Sequence, residues 1–156
     1  GGGVGIVCAC DFAFGTPQAL FMFSEVRLGL VPAMISPYAV AAIGARQARR
    51  CMVSAERIDA MQALQIGLLH EVCDAAKLDA RIGKLTEQLL QNGPEAMARS
   101  KALVARVAHA PIDAELREYT ARTIASVRAS PEGKEGVGAF LAKRPAAWIR
   151  AKGGSS

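Results

Sequence analysis

Two features near the start of the sequence could act together on a carbonyl compound. Three consecutive glycines, residues 1–3, precede an apolar stretch, and a lone carboxylate, Glu25, lies in a later apolar segment. Glycine lets a ligand contact the main chain, and N–H groups at a helix start favour negative charge. One such N–H, about 3 Å from a carbonyl oxygen, would stabilise the charge that develops there during reaction. A flexible chain end or a close helix–strand contact would also explain the glycines.

Glu25 has the sequence surroundings expected of a proton-transfer group. Its apolar neighbours are Leu20, Phe21, Met22, Phe23, Val26, Leu28, Leu30 and Val31. Burial among such side chains disfavours the charged carboxylate, so that Glu25 would exchange a proton near neutral pH. The alternative is an ion pair between Glu25 and Arg27 on a solvated strand edge.

The elements that position these residues can be predicted from the local pattern. Residues 4–10 predict a buried helix after the glycine turn. Residues 11–14 and 19–23 predict two short strands, joined as a hairpin by the turn sequence Gly-Thr-Pro at 15–17. Ser36 is expected as the N-cap of a helix with Pro37 at its first helical position, and that helix closes at Gly44.

The remaining chain is predicted to be mainly helical. A basic helix over 45–53 is followed by a helix over 59–67, which begins with a capping Asp59 and stops at glycine. Residues 68–73 alternate as a short strand, and His70 within it is interpreted as structural. Four further helices are expected after residue 75, and the third of them starts at Pro111 with an apolar stripe.

Composition limits the class of protein. The 156 residues are 51% hydrophobic and 5% aromatic, with a formal charge of +5 and a pI near 9.3. The basic residues are spread without interleaved aromatic residues, which disfavours a nucleic-acid partner, whereas a phosphate-rich ligand or a mildly basic surface fits the same charge. The four cysteines show neither metal-ligand nor disulfide spacing, so that a reducing, cytoplasmic compartment and no metal are expected. No apolar run is long enough for a membrane span.

Several segments together resemble a known superfamily. The resemblance is carried by GGGVGIVCACD, SEVRLGLVP and KRPAAW, and it is to the crotonase (enoyl-CoA hydratase/isomerase) superfamily. The longer run SEVRLGLVPAMISPY, followed by IGARQARR, is similar to the hydratases of methylglutaconyl-CoA and isohexenylglutaconyl-CoA.

The resemblance implies an α/β, crotonase-type fold. Because family members extend further at the N-terminus, it also implies that this chain is the C-terminal part and lacks the N-terminal β-rich part. Residues 1–74 would be a remnant of the core with the active-site loops. Residues 75–150 would be a C-terminal helical trimerisation region, and residues 151–156 a disordered tail.

The resemblance also assigns roles to residues. Gly2 falls where the family places an N–H of its oxyanion hole, and Glu25 falls where it places the catalytic acid/base. Substrate contacts are expected at Gly1, Gly3, Pro32, Ser36, Tyr38 and Lys143. The hydroxyls at 36 and 38 would face a polar acyl tail, and Lys143 would reach a CoA phosphate or simply act as a helix C-terminal cation. Gly5 departs from the pattern, since many hydratases of the family have a second glutamate there.

The function that follows is part of an enoyl-CoA hydratase adding water to a branched, glutaconyl-type acyl-CoA, with one carboxylate serving both halves of a syn addition. No cofactor is expected beyond the coenzyme A of the substrate, and a homotrimer or hexamer is expected. One alternative is a Δ3,Δ2-enoyl-CoA isomerase, since moving one proton between carbons needs only one base. A second alternative is an inactive assembly or interaction module. The chain alone is expected to be inactive.

Overall fold

The computed structural model of the chain describes residues 2–149 and divides into two compact units. The first unit extends to Ile82 and the second starts at Gly83. The boundary between the two units therefore falls inside a helix, whereas the sequence predicts a boundary between residues 74 and 75. Residues 151–156, expected as a tail, lie outside the described residues.

The first unit mixes short strands with helices. Its elements are α1 (Gly3–Ala9), β1 (Phe14–Gly15), β2 (Leu20–Phe21), a 3-10 turn (Glu25–Leu28), α2 (Ser36–Ser54), β3 (Ile58–Asp59), α3 (Ala60–Gln65) and β4 (Glu71–Val72). Helix α4 (Ala75–Leu89) begins in this unit, and the second unit continues with α5 (Pro94–Val107), α6 (Ala114–Ala129) and α7 (Pro131–Leu141). The described chain is thus α/β with mostly helical content.

The predicted hairpin is wrong. Strand β1 pairs in parallel with β4, and β2 pairs antiparallel with β3. A turn in which the Ala19 N–H donates to the Thr16 carbonyl lies between β1 and β2, and each of the two strands pairs with a later segment instead of with the other. Gly15 is buried in β1, and a Cβ at this position would lie 2.6 Å from the Cδ1 of buried Leu69, so that a larger residue would require the Leu69 side chain to move.

The core of the first unit consists of small and aliphatic side chains together with one phenylalanine. It contains Val4, Ala13, Phe23, Ala39, Ile43, Ala48, Cys51, Ile58, Ala63, Leu68 and Leu69. Helix α1 and the 3-10 turn both pack against α2, so that the glycine run and Glu25 are placed by the same long helix. That helix is interrupted at Gly44 (φ 72°, ψ 156°), which confirms the predicted division into two helical segments.

Local capping explains where α3 begins and ends. The Asp59 carboxylate accepts the Gln62 N–H, and the Gln62 side chain accepts the Asp59 N–H, which together form a capping box. The helix ends before Gly67, which has a φ of 83°. His70 has the structural role predicted for it, because its Nδ1 accepts the Ala13 N–H at 3.0 Å.

The second unit is held by polar groups at helix ends. Asp113 caps α6, so that the helix begins at Ala114 and not at Pro111, and Ser130 caps α7. The Glu132 carboxylate accepts the backbone N–H groups of Glu95 and Ala96 at the start of α5. Each of these bonds satisfies a helix N–H that has no partner within its own helix.

Candidate active site

Glu25 is the first residue of the 3-10 turn, not part of a strand. The turn ends in Gly29, whose φ is 70°, and the Leu30 N–H donates to the Glu25 carbonyl at 3.0 Å. Gly29 N–H donates to Val26, which completes a Schellman-type closure. Glycine at position 29 is therefore needed for a left-handed conformation that ends the turn.

The Glu25 carboxylate is only partly enclosed. Its Oε2 atom is buried, and no hydrogen-bond partner is found for it among residues 2–149. The expected apolar shell around it is incomplete, because Leu28, Leu30 and Val31 are exposed. The short turn explains this difference, since it distributes consecutive side chains around its axis instead of aligning them on one face. Of the neighbours expected to bury Glu25, only Phe23 lies fully in the core.

Arg27 does not pair with Glu25. The alternative interpretation of Glu25, an ion pair with Arg27 on a solvated strand edge, is therefore wrong. The Nη2 of Arg27 donates to the Ala55 carbonyl at 2.9 Å, across 28 positions of sequence. Sequence reasoning missed this bond, because no local signal connects Arg27 with the carbonyl of Ala55.

The glycine run lies beside an open groove. The groove has a volume of about 440 Å³ and is lined by Gly2, Gly3, Val4, Leu20, Phe21 and Met22. Gly2 has an ordinary helical conformation (φ −49°, ψ −28°), so that glycine is not needed there for backbone reasons. A Cβ at Gly2 or Gly3 would meet no atom within 4 Å, which leaves the main chain open to a ligand. Gly1 lies outside the described residues.

Gly5 and Ile35 are in tight contact. Gly5 is buried in α1, and a Cβ built there would lie 2.9 Å from the Cβ of Ile35 and closer still to its Cγ2. The position of a Cβ is set by the backbone, so that a change of rotamer at Ile35 cannot relieve this contact. The packing excludes a glutamate at position 5 unless the backbone moves. Ile35 was missed by sequence reasoning because nothing local connects it to Gly5.

The expected substrate contacts of the first unit lie along the start of α2. Ser36 is not the N-cap, because Ile35 occupies that position and Ser36 is the first helical residue. The Ser36 hydroxyl donates to the Ala33 carbonyl at 2.9 Å. The Pro32 carbonyl accepts the Ser36 N–H at 3.0 Å, and Tyr38 is 52% exposed. The segment is therefore held by its own backbone, with Tyr38 accessible.

Lys143 belongs to the second unit, where it follows the end of α7. It is exposed and has a φ of 53°, which is unusual for a residue with a side chain. Its N–H donates to the Phe140 carbonyl, so that its backbone helps to close the helix. That position is consistent with both expected roles, a cation at a helix C-terminus and a contact for phosphate.

Two features are absent from the described part of the chain. Residues 2–149 contain no cluster of three or more His, Cys, Asp or Glu side chains placed to hold a metal ion. Over the same range, no helix combines the length and the apolar character needed to cross a bilayer.

Comparison with known proteins identifies the family. A family model described as enoyl-CoA hydratase/isomerase matches residues 1–151. Enoyl-CoA hydratase ACTT6 of Alternaria alternata is 34% identical over 143 residues, which are 90% of this chain and 47% of that protein. Crotonyl-CoA hydratase of Syntrophomonas wolfei is 30% identical over 150 residues, which are 96% of this chain and 57% of the relative. The chain spans about half the length of these curated relatives.

The fold gives the same assignment. A crystal structure of an enoyl-CoA hydratase from Shewanella pealeana matches with a TM-score of 0.91 and 42% identity, over 95% of this chain and 55% of that chain. Sequence and structure agree over nearly all of the described residues, and this chain therefore belongs to the enoyl-CoA hydratase/isomerase family of the crotonase superfamily.

Proposed function

We propose that this chain forms part of an enoyl-CoA hydratase, which adds water across the α,β double bond of an acyl-CoA thioester. The observation that carries the proposal is the Glu25 carboxylate, because its Oε2 is buried without a hydrogen-bond partner among residues 2–149. A buried polar atom without a partner costs free energy in a purely structural role. Such an atom is suited to exchange a proton with a bound molecule.

In the proposed mechanism, Glu25 is the proton shuttle and the Gly2 N–H is one donor to the thioester oxygen. Polarisation of the thioester makes the β-carbon electrophilic and stabilises the enolate that forms when water adds. Glu25 takes a proton from the water and returns one to the α-carbon from the same face. The carboxylate is then in its starting state. The groove beside Gly2 supports this role, since it leaves the glycine backbone open.

The proposed substrate is a branched, glutaconyl-type acyl-CoA, on the basis of the run SEVRLGLVPAMISPY. Tyr38 is the better candidate for a polar acyl tail, because the Ser36 hydroxyl already donates to Ala33 and offers only acceptor lone pairs. Lys143 is proposed to contact a CoA phosphate. Coenzyme A enters as part of the substrate, with no further cofactor. The enzyme is further proposed to be a homotrimer or hexamer and to be cytoplasmic.

A second candidate is a Δ3,Δ2-enoyl-CoA isomerase, and the packing of Gly5 against Ile35 favours it. This packing restricts the matched motif to one carboxylate, and proton transfer between two carbons needs only one base. The isomerase uses Glu25 in the same position. The two candidates therefore differ in whether water is incorporated.

Isotope labelling distinguishes the two. The chain is assayed alone, and then together with a segment that corresponds to the part of the relatives that it does not span. The proposed activity is expected only in the second assay. With branched glutaconyl-CoA in H₂¹⁸O, a hydratase places the label on the β-carbon hydroxyl. With a 3-enoyl thioester, an isomerase gives a product without label. If the 3-enoyl thioester gives unlabelled product and glutaconyl-CoA is not hydrated, the isomerase proposal replaces the hydratase proposal.

Two variants connect the activity to Glu25. Glu25→Gln should abolish turnover of either kind, because the amide cannot take up the proton. Glu56→Gln is the matched control, since Glu56 is a half-buried carboxylate of the same unit that pairs with Arg50. Full activity of Glu25→Gln would exclude both mechanisms. Absence of turnover in the wild type on both substrates, with the added segment present, would favour an inactive assembly module.

A further inference from the structure

The position of the Glu25 carboxylate depends on the 3-10 turn that contains this residue. A side chain is normally fixed by its own hydrogen bonds, but Glu25 Oε2 has no such partner among the described residues. Its place therefore depends on the backbone of the turn. A 3-10 turn of four residues is a weak element by itself, because its hydrogen-bond geometry is poor.

In addition to the packing of the turn against α2, two contacts fix the chain on either side of Glu25. On the N-terminal side, Phe23 is 1% exposed and lies in the core. On the C-terminal side, Arg27 donates from Nη2 to the Ala55 carbonyl at 2.9 Å. Phe23 fixes the chain by packing, whereas Arg27 supplies a directional bond.

The acceptor of this bond is itself rigid. Ala55 is 1% exposed, and its N–H donates to the Cys51 carbonyl at 3.1 Å at the end of α2. Its φ of 47° and ψ of 37° place it in the left-handed region, which residues with a side chain rarely adopt. A buried residue in that conformation is held by its surroundings, so its carbonyl has one fixed direction.

We propose that Arg27 is a positioning residue for Glu25, which fixes the proton shuttle by hydrogen bonding to the Ala55 carbonyl. This inference rests on the proposed function of Glu25. Arg27 acts through the turn and not on the substrate. Its charge strengthens the bond, since hydrogen bonds from an ionised donor are stronger than neutral ones.

Three variants test this role. Arg27→Met removes the donor but retains much of the apolar stem. Arg27→Lys keeps a charged donor, and because only Nη2 is used in the bond to Ala55, lysine should restore part of the effect. Arg49→Met is the matched control, an exposed arginine of α2, the helix that ends at Ala55.

The first measurement is hydrogen exchange at the Arg27, Gly29 and Leu30 amides, which donate within the turn. In Arg27→Met these amides should exchange about tenfold faster, the effect expected from one lost charge-assisted hydrogen bond. Amides of α3 should be unchanged, and the control should match the wild type throughout. Unchanged exchange in the turn would overturn the proposal, and so would an equal increase across the whole unit.

The second measurement is turnover, under the conditions in which the wild type is active. Misplacement of the shuttle should lower kcat about tenfold or more with little change in KM, and Arg27→Lys should recover part of kcat. A change confined to KM, or equal losses in the Lys and Met variants, would overturn the positioning role. If the wild type has no turnover, the proposed function of Glu25 fails. The exchange data then still decide whether Arg27 holds the turn.

Discussion

Position 5 shows how a single contact can determine the chemistry available to a site. Gly5 is helical, so glycine is not required by its backbone conformation, and alanine would ordinarily be preferred there. The contact with Ile35 reverses that preference, because a Cβ would overlap the isoleucine. The absence of a second glutamate is therefore built into the packing between α1 and α2.

We expect Gly5→Ala to destabilise the first unit by about 1–3 kcal/mol, the usual cost of overpacking a core. Gly3→Ala in the same helix is the control, since a Cβ there meets no atom within 4 Å. Denaturant unfolding of both variants measures the difference. In an Ile35→Ala background the cost of Gly5→Ala should be smaller but not absent, because the Cβ of residue 35 remains. Equal stability of the Gly5→Ala and Gly3→Ala variants would contradict this packing.

Among the helices, ion pairs and caps fix the segments that flank the helix ends. The clearest case follows α7, where the Glu135 carboxylate accepts hydrogen bonds from both terminal nitrogens of Arg144, at 2.7 and 2.8 Å. It also accepts the Ala147 N–H at 2.8 Å. These bonds to Arg144 and Ala147 lower the pKa of Glu135 from 4.5 to about 2. The charged form of Glu135 therefore fixes the segment that follows the helix.

The lowered pKa predicts how stability depends on pH. A carboxylate with a lower pKa in the folded state stabilises the fold above pH 4.5, and this contribution is lost as the pH falls towards 2. Glu135→Gln should lower the stability of the second unit at neutral pH. It should also flatten the loss of stability between pH 4.5 and 2.

Glu118→Gln is the matched control, because Glu118 forms an exposed i,i+4 pair with Arg122 on α6, and such pairs contribute little. Thermal unfolding followed over this pH range measures both variants. An identical pH dependence in the wild type and in Glu135→Gln would show that the Glu135 contacts do not stabilise the folded state.

At the scale of the whole molecule, exposed apolar surface is the main feature. In the second unit the exposed large apolar side chains include Val104, Ile112, Ile124, Val137, Phe140 and Leu141. Exposed apolar side chains that together form a patch usually mark a contact with another protein. Of the apolar stripe expected after Pro111, Leu116 is buried and Tyr119, Thr123 and Val127 are half-buried, whereas Ile112 precedes α6 and is exposed.

We expect the chain to self-associate, because association would bury these exposed apolar side chains. Sedimentation at micromolar concentrations should show a trimer or a multiple of it. Phe140→Ser should shift the distribution towards smaller species, because Phe140 is 81% exposed at the end of α7. Lys134→Glu changes an exposed charge on the same helix and should have little effect. A strict monomer in the wild type would exclude this use of the surface.

The features that depend on local contacts could be predicted from the amino-acid sequence. The capped start of α3 at Asp59, the break at Gly44 and the glycine stop at Gly67 were all predicted, because a residue and its close neighbours decide them. The family was also identified from the sequence, since its motifs are runs of adjacent residues.

The contacts between distant segments could be seen only in the folded chain. The strands predicted as a hairpin pair instead with β3 and β4. The contact of Gly5 with Ile35 and the bond from Arg27 to Ala55 likewise join residues 30 and 28 positions apart. Glu25 was correctly placed in an apolar segment, but how far its neighbours enclose it depended on the turn. Distant contacts form when elements pack, and local residue patterns contain no information about which elements will meet.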